Sequence, residues 1–160
     1  MEKVSVLFVC MGNICRSPTA QGVFETLLEK QQWRQYVKVD SAGTHAYHIG
    51  EAPDSRSQAA AGARGVDLTD QRARRVERRD FDAFDYILAM DKQNLAALQA
   101  MVQTPAQYKR IQLFMNFASR WSNSEVPDPY YGGNLGFERV LDMTEDAAEG
   151  LLRHLMGRYV

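Results

Sequence analysis

The sequence predicts an α/β fold: a three-layer architecture in which a four-stranded parallel sheet is flanked by helices. Three observations lead there. Val4–Cys10 (VSVLFVC) is β-branched and apolar nearly throughout, the pattern of a strand buried on both faces. Further short apolar runs alternate with segments of helical periodicity, and that alternation implies βαβ units with right-handed crossovers. The 160 residues carry no long Pro/Gly/Ser linker, internal repeat or low-complexity tract, so one domain spanning 1–160 is expected.

Each element has its own signal. After the first strand, Ser17 and Pro18 predict an N-cap followed by a first-turn proline. Ala20, Val23, Phe24, Leu27 and Leu28 then recur at helical spacing up to Lys30. Val37–Ala42 reads as a second strand, closed by Gly43. Asp54 opens a second helix through Ser55–Arg64, ended by Gly65. Tyr86–Met90 is a third apolar strand, and Asp91 is the N-cap of a helix carrying Leu95, Leu98 and Met101. Ile111–Phe114 is a short fourth strand. Phe137 to Met156 is a long amphipathic helix, with Val140, Leu141, Ala148, Leu151, Leu152 and Leu155 as its apolar stripe. Ligands of such sheets bind outside the carboxyl ends of the strands, so the loop after the first strand is where chemistry is expected.

Charge and cysteine usage exclude whole classes. Lys+Arg 19 against Asp+Glu 20 leaves a net charge of −1, which argues against a nucleic-acid or membrane-surface partner. Two cysteines, Cys10 and Cys15, are too few for a disulfide framework or a four-thiolate zinc site, and they suit a cytoplasmic protein. The apolar run from Val4 to Met11 is too short for a membrane span, which takes about 20 residues. Gly12, Asn13, Cys15 and Arg16 follow it without a small-x-small cleavage site, so it is not read as a signal peptide.

The loop Cys10-Met11-Gly12-Asn13-Ile14-Cys15-Arg16-Ser17 begins with a thiol at a strand's end and finishes at a helix start. Backbone N–H groups at such a helix start favour an anion. Gly12 permits close approach, and Asn13 tolerates the left-handed region and can brace the loop. Arg16 offers a planar fork that matches two oxygens of a phosphate. Such positive surroundings favour the thiolate of Cys10, and the ensemble describes a phosphoryl-accepting nucleophile. The competing reading of Cys10 is a small buried hydrophobe at a strand end. A thiolate attacking a phosphate ester needs a proton donor for the leaving oxygen. Val126-Pro127-Asp128-Pro129-Tyr130-Tyr131-Gly132-Gly133 offers Asp128 between two prolines, with aromatic rings that could pack on a phenyl group and exclude water. The competing reading there is a rigid Asp-Pro turn.

Together these segments resemble the low-molecular-weight protein tyrosine phosphatases. Their signature is a strand leading into C-x5-R-S-P with Gly-Asn inside, present here as Val6 to Pro18. Their acid loop is similar to Asp128-Pro129-Tyr130-Tyr131-Gly132. Ser41-Ala42-Gly43-Thr44 and Phe84 to Asp91 also match family segments, so the resemblance runs from about Val4 to the last helix. It implies a flavodoxin-like, Rossmann-like fold and hydrolysis of phosphotyrosine and other aryl phosphate monoesters through a cysteinyl-phosphate.

Residue by residue, the resemblance implies Cys10 as nucleophile and Arg16 as the phosphoryl-binding cation. Asp128 becomes the general acid and then the base. Met11, Gly12, Asn13, Ile14, Cys15 and Ser17 complete the phosphate-binding loop. Asn13 and Ser41 hold its shape, and Ser17 donates toward the Cys10 sulfur. Met11, Ile14, Tyr47, Tyr130 and Tyr131 line the substrate cleft. Cys15 becomes the thiol that traps oxidised Cys10 as a reversible disulfide. No metal and no cofactor is implied. The implied partners are phosphotyrosine proteins, a tyrosine kinase among them, with inorganic phosphate as product and inhibitor and a monomer or weak dimer as the state. Gln71 departs from relatives that carry His before the x-Ala-Arg of Arg72-Ala73-Arg74, which puts a hydrogen-bond network there in doubt. Ser-Ala-Gly-Thr and Tyr47-His48 are closer to bacterial members.

Other features have plainer readings. Arg72, Arg74, Arg75, Arg78 and Arg79 are expected to pair with acids such as Glu77 and Asp80 rather than to form a docking rim. His45 and His48 are read as surface histidines, and Asp91 as a helix cap rather than an acid. Two further functions fit the loop. A thiol-linked arsenate reductase would need another cysteine after Cys15, and none follows. A phosphocarrier would need no acid, whereas Asp128 supplies one.

Overall fold

The computed structural model describes residues 3–131 and 133–159, excepting the side chains of Tyr131 and Asn134. Four parallel strands form one sheet in the order β2-β1-β3-β4, with β1 at Val4–Cys10, β2 at Val37–Gly43, β3 at Tyr86–Ala89 and β4 at Ile111–Leu113. Every residue of β1 is buried, as a strand with neighbours on both edges and helices on both faces must be. Its side chains alternate between two apolar clusters. Val4, Val6, Phe8 and Cys10 face one, where Phe8 meets Phe24 and Phe114 edge to face at 5.9 and 5.0 Å. Leu7 and Val9 face the other, with Phe81, Phe84, Ile87 and Leu98.

Helix α1 (Arg16–Lys30) and the long α6 (Gly133–Tyr159) cover the first face. The short α3 (Asp80–Ala83) and α4 (Lys92–Met101) cover the second. β2 lies on one side of β1 and β3 on the other, so the strand order reverses at β1 and a ligand crevice is expected outside its carboxyl end. Asp54 caps α2 (Ser55–Gly62), accepting from the N–H groups of Arg56 and Ser57. Asp91 caps α4 through the Asn94 N–H. Among the described residues no helix is long and apolar enough to cross a membrane.

Several boundaries differ from the sequence reading. The N-cap of α1 is Cys15, which makes no side-chain cap, and not Ser17. The Ser17 hydroxyl is committed elsewhere, as the site shows. α2 stops before Arg64, whose guanidinium leaves the helix for Glu138, Asp142 and Glu145 on α6. α6 begins four residues before Phe137, because Gly136 packs against Pro129: a Cβ there would lie 2.9 Å from the Pro129 carbonyl oxygen. α3 and α5 (Pro105–Tyr108) are four-residue helices, too short for periodicity to reveal.

Candidate active site

β1 delivers Cys10 to the sheet's carboxyl edge, opposite Gly43 of β2. Strand pairing continues past it, since the Thr44 and His45 N–H groups donate to the carbonyls of Cys10 and Met11 at 2.9 and 3.0 Å. A Cβ on Gly43 would stand 2.7 Å from the Met11 oxygen, so only glycine lets β2 approach the loop this closely. The Asn13 N–H donates to the Cys10 Sγ at 3.3 Å, and the Ser17 Oγ lies 2.9 Å from it.

The loop's shape is braced by one buried amide. Asn13 stands in the left-handed region at φ 58°, a conformation most residues avoid. Its Nδ2 donates to the Ser17 Oγ (2.8 Å) and the Ser41 Oγ (3.0 Å), while its Oδ1 accepts the Arg74 N–H (3.0 Å). The Ser41 hydroxyl in turn donates to the Gln21 Oε1 at 2.7 Å. With Asn13 donating to it, the Ser17 hydroxyl keeps its proton for the Cys10 sulfur. That employment explains why Ser17 does not cap α1, and it leaves the first N–H groups of the helix without a side-chain cap.

Arg16 is buried, and its Nη1 donates to the Asp91 Oδ2 (2.6 Å) and the Val126 carbonyl (3.1 Å). Among the described residues its Nε and Nη2 have no partner, so two donors of the fork remain for a ligand. Burial alone would lower its pKa. The Cys10, Asp91 and Asp128 charges reverse that and hold it above the ordinary value. Asp91 was read only as a cap. Its carboxylate serves both α4 and Arg16, and the available signal was its place after β3, next to the end of β1.

Cys10, Arg16 and Asp128 line one cleft of about 100 Å³, with Met11, Gly12, Ile14 and Cys15 at its base. Tyr47 and Tyr130, 69% and 47% exposed, stand on its sides, and Tyr47 stacks on His45 at 5.2 Å. His48, read as a surface histidine, also lines it while pairing with Glu51 at 2.7 Å. The Tyr131 side chain and Gly132 lie outside the described residues. Burial pushes the Cys15 thiol up to about 12, and burial likewise pushes the Tyr130 phenol up to about 12, helped by the Cys15 and Asp54 charges. Both cysteines are free thiols. Gln71 does not join the Asn13 network; its Nε2 donates to the Pro18 carbonyl at 3.0 Å. In the basic stretch Arg74 bridges Asp40 and Asp80 and Arg79 pairs with Glu77, whereas Arg72 donates to the Thr69 and Gln71 carbonyls. Among the described residues no three His, Cys, Asp or Glu side chains are grouped to hold a metal ion.

A thiol at the end of a central parallel strand, inside a braced anion loop and beside a buried arginine, defines a phosphate-handling α/β protein. Comparison with known proteins narrows the class. The family model described as low molecular weight phosphotyrosine protein phosphatase matches residues 5–158. The low molecular weight protein-tyrosine-phosphatase YfkJ of Bacillus subtilis is 39% identical over 151 residues, 93% of this chain and 94% of the relative. A crystal structure of a protein tyrosine phosphatase from Entamoeba histolytica superposes with a TM-score of 0.94 at 39% identity, covering 99% of this chain and 100% of that one. A Drosophila arginine phosphatase superposes with a TM-score of 0.86 at 36% identity, covering 93% of this chain and 96% of that one. The chain belongs to the low molecular weight phosphotyrosine protein phosphatase family.

Proposed function

We propose that the protein hydrolyses phosphotyrosine in protein substrates, and aryl phosphate monoesters generally, through a phosphocysteine formed on Cys10. The observation that carries this is the convergence of Cys10, Arg16 and Asp128 on one cleft walled by aromatic rings. The Cys10 thiolate attacks phosphorus, the P–O bond to the phenol breaks, and the Asp128 carboxyl gives its proton to the departing oxygen. Water then attacks the phosphocysteine, Asp128 takes a proton from it, and phosphate leaves with the thiolate restored. The free donors of Arg16 and the N–H groups at the start of α1 stabilise the equatorial oxygens throughout.

Tyr47 and Tyr130 give the cleft flat walls on which a phenyl ester can pack; the name of the Drosophila neighbour suggests a phosphoarginine instead, and the assay below compares the two. We also read Cys15 as the resolving thiol for oxidised Cys10. With its pKa pushed up to about 12, Cys15 is protonated at neutral pH, so the disulfide would close slowly and faster as pH rises.

The test is turnover of p-nitrophenyl phosphate, phenyl phosphate, a phosphotyrosine peptide and a phosphoarginine peptide. Cys10→Ser is expected to abolish all turnover. Asp128→Ala is expected to cost about 10² to 10⁴ on phenyl phosphate and far less on the electron-poor ester. Cys15→Ser should keep turnover but lose thiol-driven recovery after peroxide. Full turnover by Cys10→Ser would refute the nucleophile, and a preference for phosphoarginine would refute the substrate class.

A further inference from the structure

Arg56 lies outside the cleft, yet it touches the segment that carries Asp128. Its guanidinium carbon sits 4.8 Å from the centre of the Tyr130 ring and 4.9 Å from that of Phe137, the first buried aromatic of α6. Its Nε and Nη2 donate to the two carboxylate oxygens of Asp54 at 3.2 and 3.1 Å. The Tyr130 hydroxyl donates to that same carboxylate at 3.2 Å. Asp54 is anchored in turn: its N–H donates to the Ile14 carbonyl of the phosphate loop at 2.8 Å, and it caps α2. The Tyr130 N–H donates to the Asp128 Oδ1 at 3.0 Å. A continuous set of contacts therefore runs from the phosphate loop through Asp54, Arg56 and Tyr130 to the Asp128 carboxylate.

Two competing forces meet in this set. The acid segment is exposed at Asp128 and begins from the buried Val126, whose carbonyl is held by Arg16. Pro129 is buried against Gly136 and fixes the backbone, but the Asp128 and Tyr130 side chains on either side of it are exposed, so polar and cation–π contacts orient them. A guanidinium is suited to this because it can stack on a ring with its face while its edge pairs bidentately with a carboxylate. Burial of Asp54 would raise its pKa, but the bonds from Arg56 and from the Arg56 and Ser57 N–H groups outweigh it and keep the anion.

We propose that Arg56, stacked between Tyr130 and Phe137 and paired with Asp54, is a positioning residue that clamps the acid loop against the phosphate loop and holds Asp128 over the leaving oxygen. The inference rests on the general-acid reading of Asp128. It assigns Arg56 no contact with substrate. Its signature is therefore a dependence on how much the leaving group needs a proton, which a purely structural arginine would not produce.

The test uses the full chain and a series of aryl phosphates from electron-poor phenols to unsubstituted phenol. Arg56→Met keeps the stem over the rings and removes the charge; Arg56→Lys keeps the charge without the fork. For Arg56→Met, kcat/KM on phenyl phosphate is expected to fall about tenfold, with little loss on p-nitrophenyl phosphate. Lys should recover part of the loss. In an Asp128→Ala background Arg56→Met should cost nothing further, because the group it positions is gone. Tyr130→Phe, which keeps the ring and removes the Asp54 bond, should shift the series the same way by less and serves if the Arg56 variants do not fold. Equal loss across all leaving groups, an undiminished loss without Asp128, or no loss would overturn the proposal. If Asp128→Ala itself shows no leaving-group dependence, the acid assignment fails and the clamp falls with it. If Asp128→Ala behaves as expected and Arg56→Met does not, only the clamp is wrong.

Discussion

Asp91 joins two tasks that can be separated by one atom. Its Oδ1 caps α4 and its Oδ2 takes the Arg16 Nη1 at 2.6 Å. Asn is as good an N-cap as Asp, so Asp91→Asn keeps the helix start and removes the anion that aims Arg16. A displacement of a phosphate-binding fork by about an ångström costs on the order of 10²-fold in rate. Asp91→Asn is therefore expected to lower kcat on p-nitrophenyl phosphate by about that much, and to lower the melting midpoint as well, because the buried Arg16 loses its paired anion. Wild-type kcat in this variant would mean that Val126 alone suffices to hold Arg16. Ser17 makes the same point in reverse: a residue that reads as a cap instead places its hydroxyl 2.9 Å from the sulfur of the candidate nucleophile while Asn13 donates to it.

The relation between β1, β2 and α1 builds the loop. β2 runs close enough to the loop that a methyl group on Gly43 would meet backbone atoms of Met11, Gly12 and Asn13, none of which is a flexible side-chain end. Gly43→Ala must therefore push the Cys10–Ser17 loop away, stretching the Asn13 bonds to Ser41 and Arg74. Turnover is expected to fall by about 10² or more while the fold survives, which circular dichroism beside a p-nitrophenyl phosphate assay checks. Unimpaired turnover would show that the loop tolerates the shift. The four strands and the longer helices were legible in order and type, because continuous apolar runs and 3.6-residue stripes mark them; the four-residue α3 and α5 were not. The boundaries at Arg64 and Phe137 were not, because an ion-pair cluster and a close glycine contact set them from α6.

Across the whole molecule, α6 is tied to the segment before Val126 by a buried anion. The Asp146 carboxylate is fully buried and accepts from the N–H groups of Ser119, Arg120 and Trp121 at 3.1, 2.9 and 2.9 Å. Burial would raise its pKa; the three N–H donors and Arg120 outweigh it and hold it below the usual carboxylate range. A depressed folded pKa contributes stability above the unfolded value of about 3.9 and loses it as pH falls through the folded value. Asp146→Asn is thus expected to cost about 2 kcal/mol at neutral pH, with the difference shrinking below about pH 4. Urea unfolding at several pH values checks it, and a pH-independent difference would count against the linkage.

Chemical identity was carried by residue type and spacing: the thiol, the arginine six places on, the Gly-Asn between them, and the Asp-Pro more than a hundred residues away. The alternation of apolar runs and helical stripes carried the parallel sheet, since both are one-dimensional records of burial. What waited for the tertiary structure was every partnership between distant segments. Asp91 with Arg16, Asn13 with Arg74, and Arg56 with Tyr130 each join residues 61 to 75 positions apart. Such pairs leave no periodic trace, because a hydrogen bond or a stacked guanidinium needs only one residue on each side and the fold alone brings the two together.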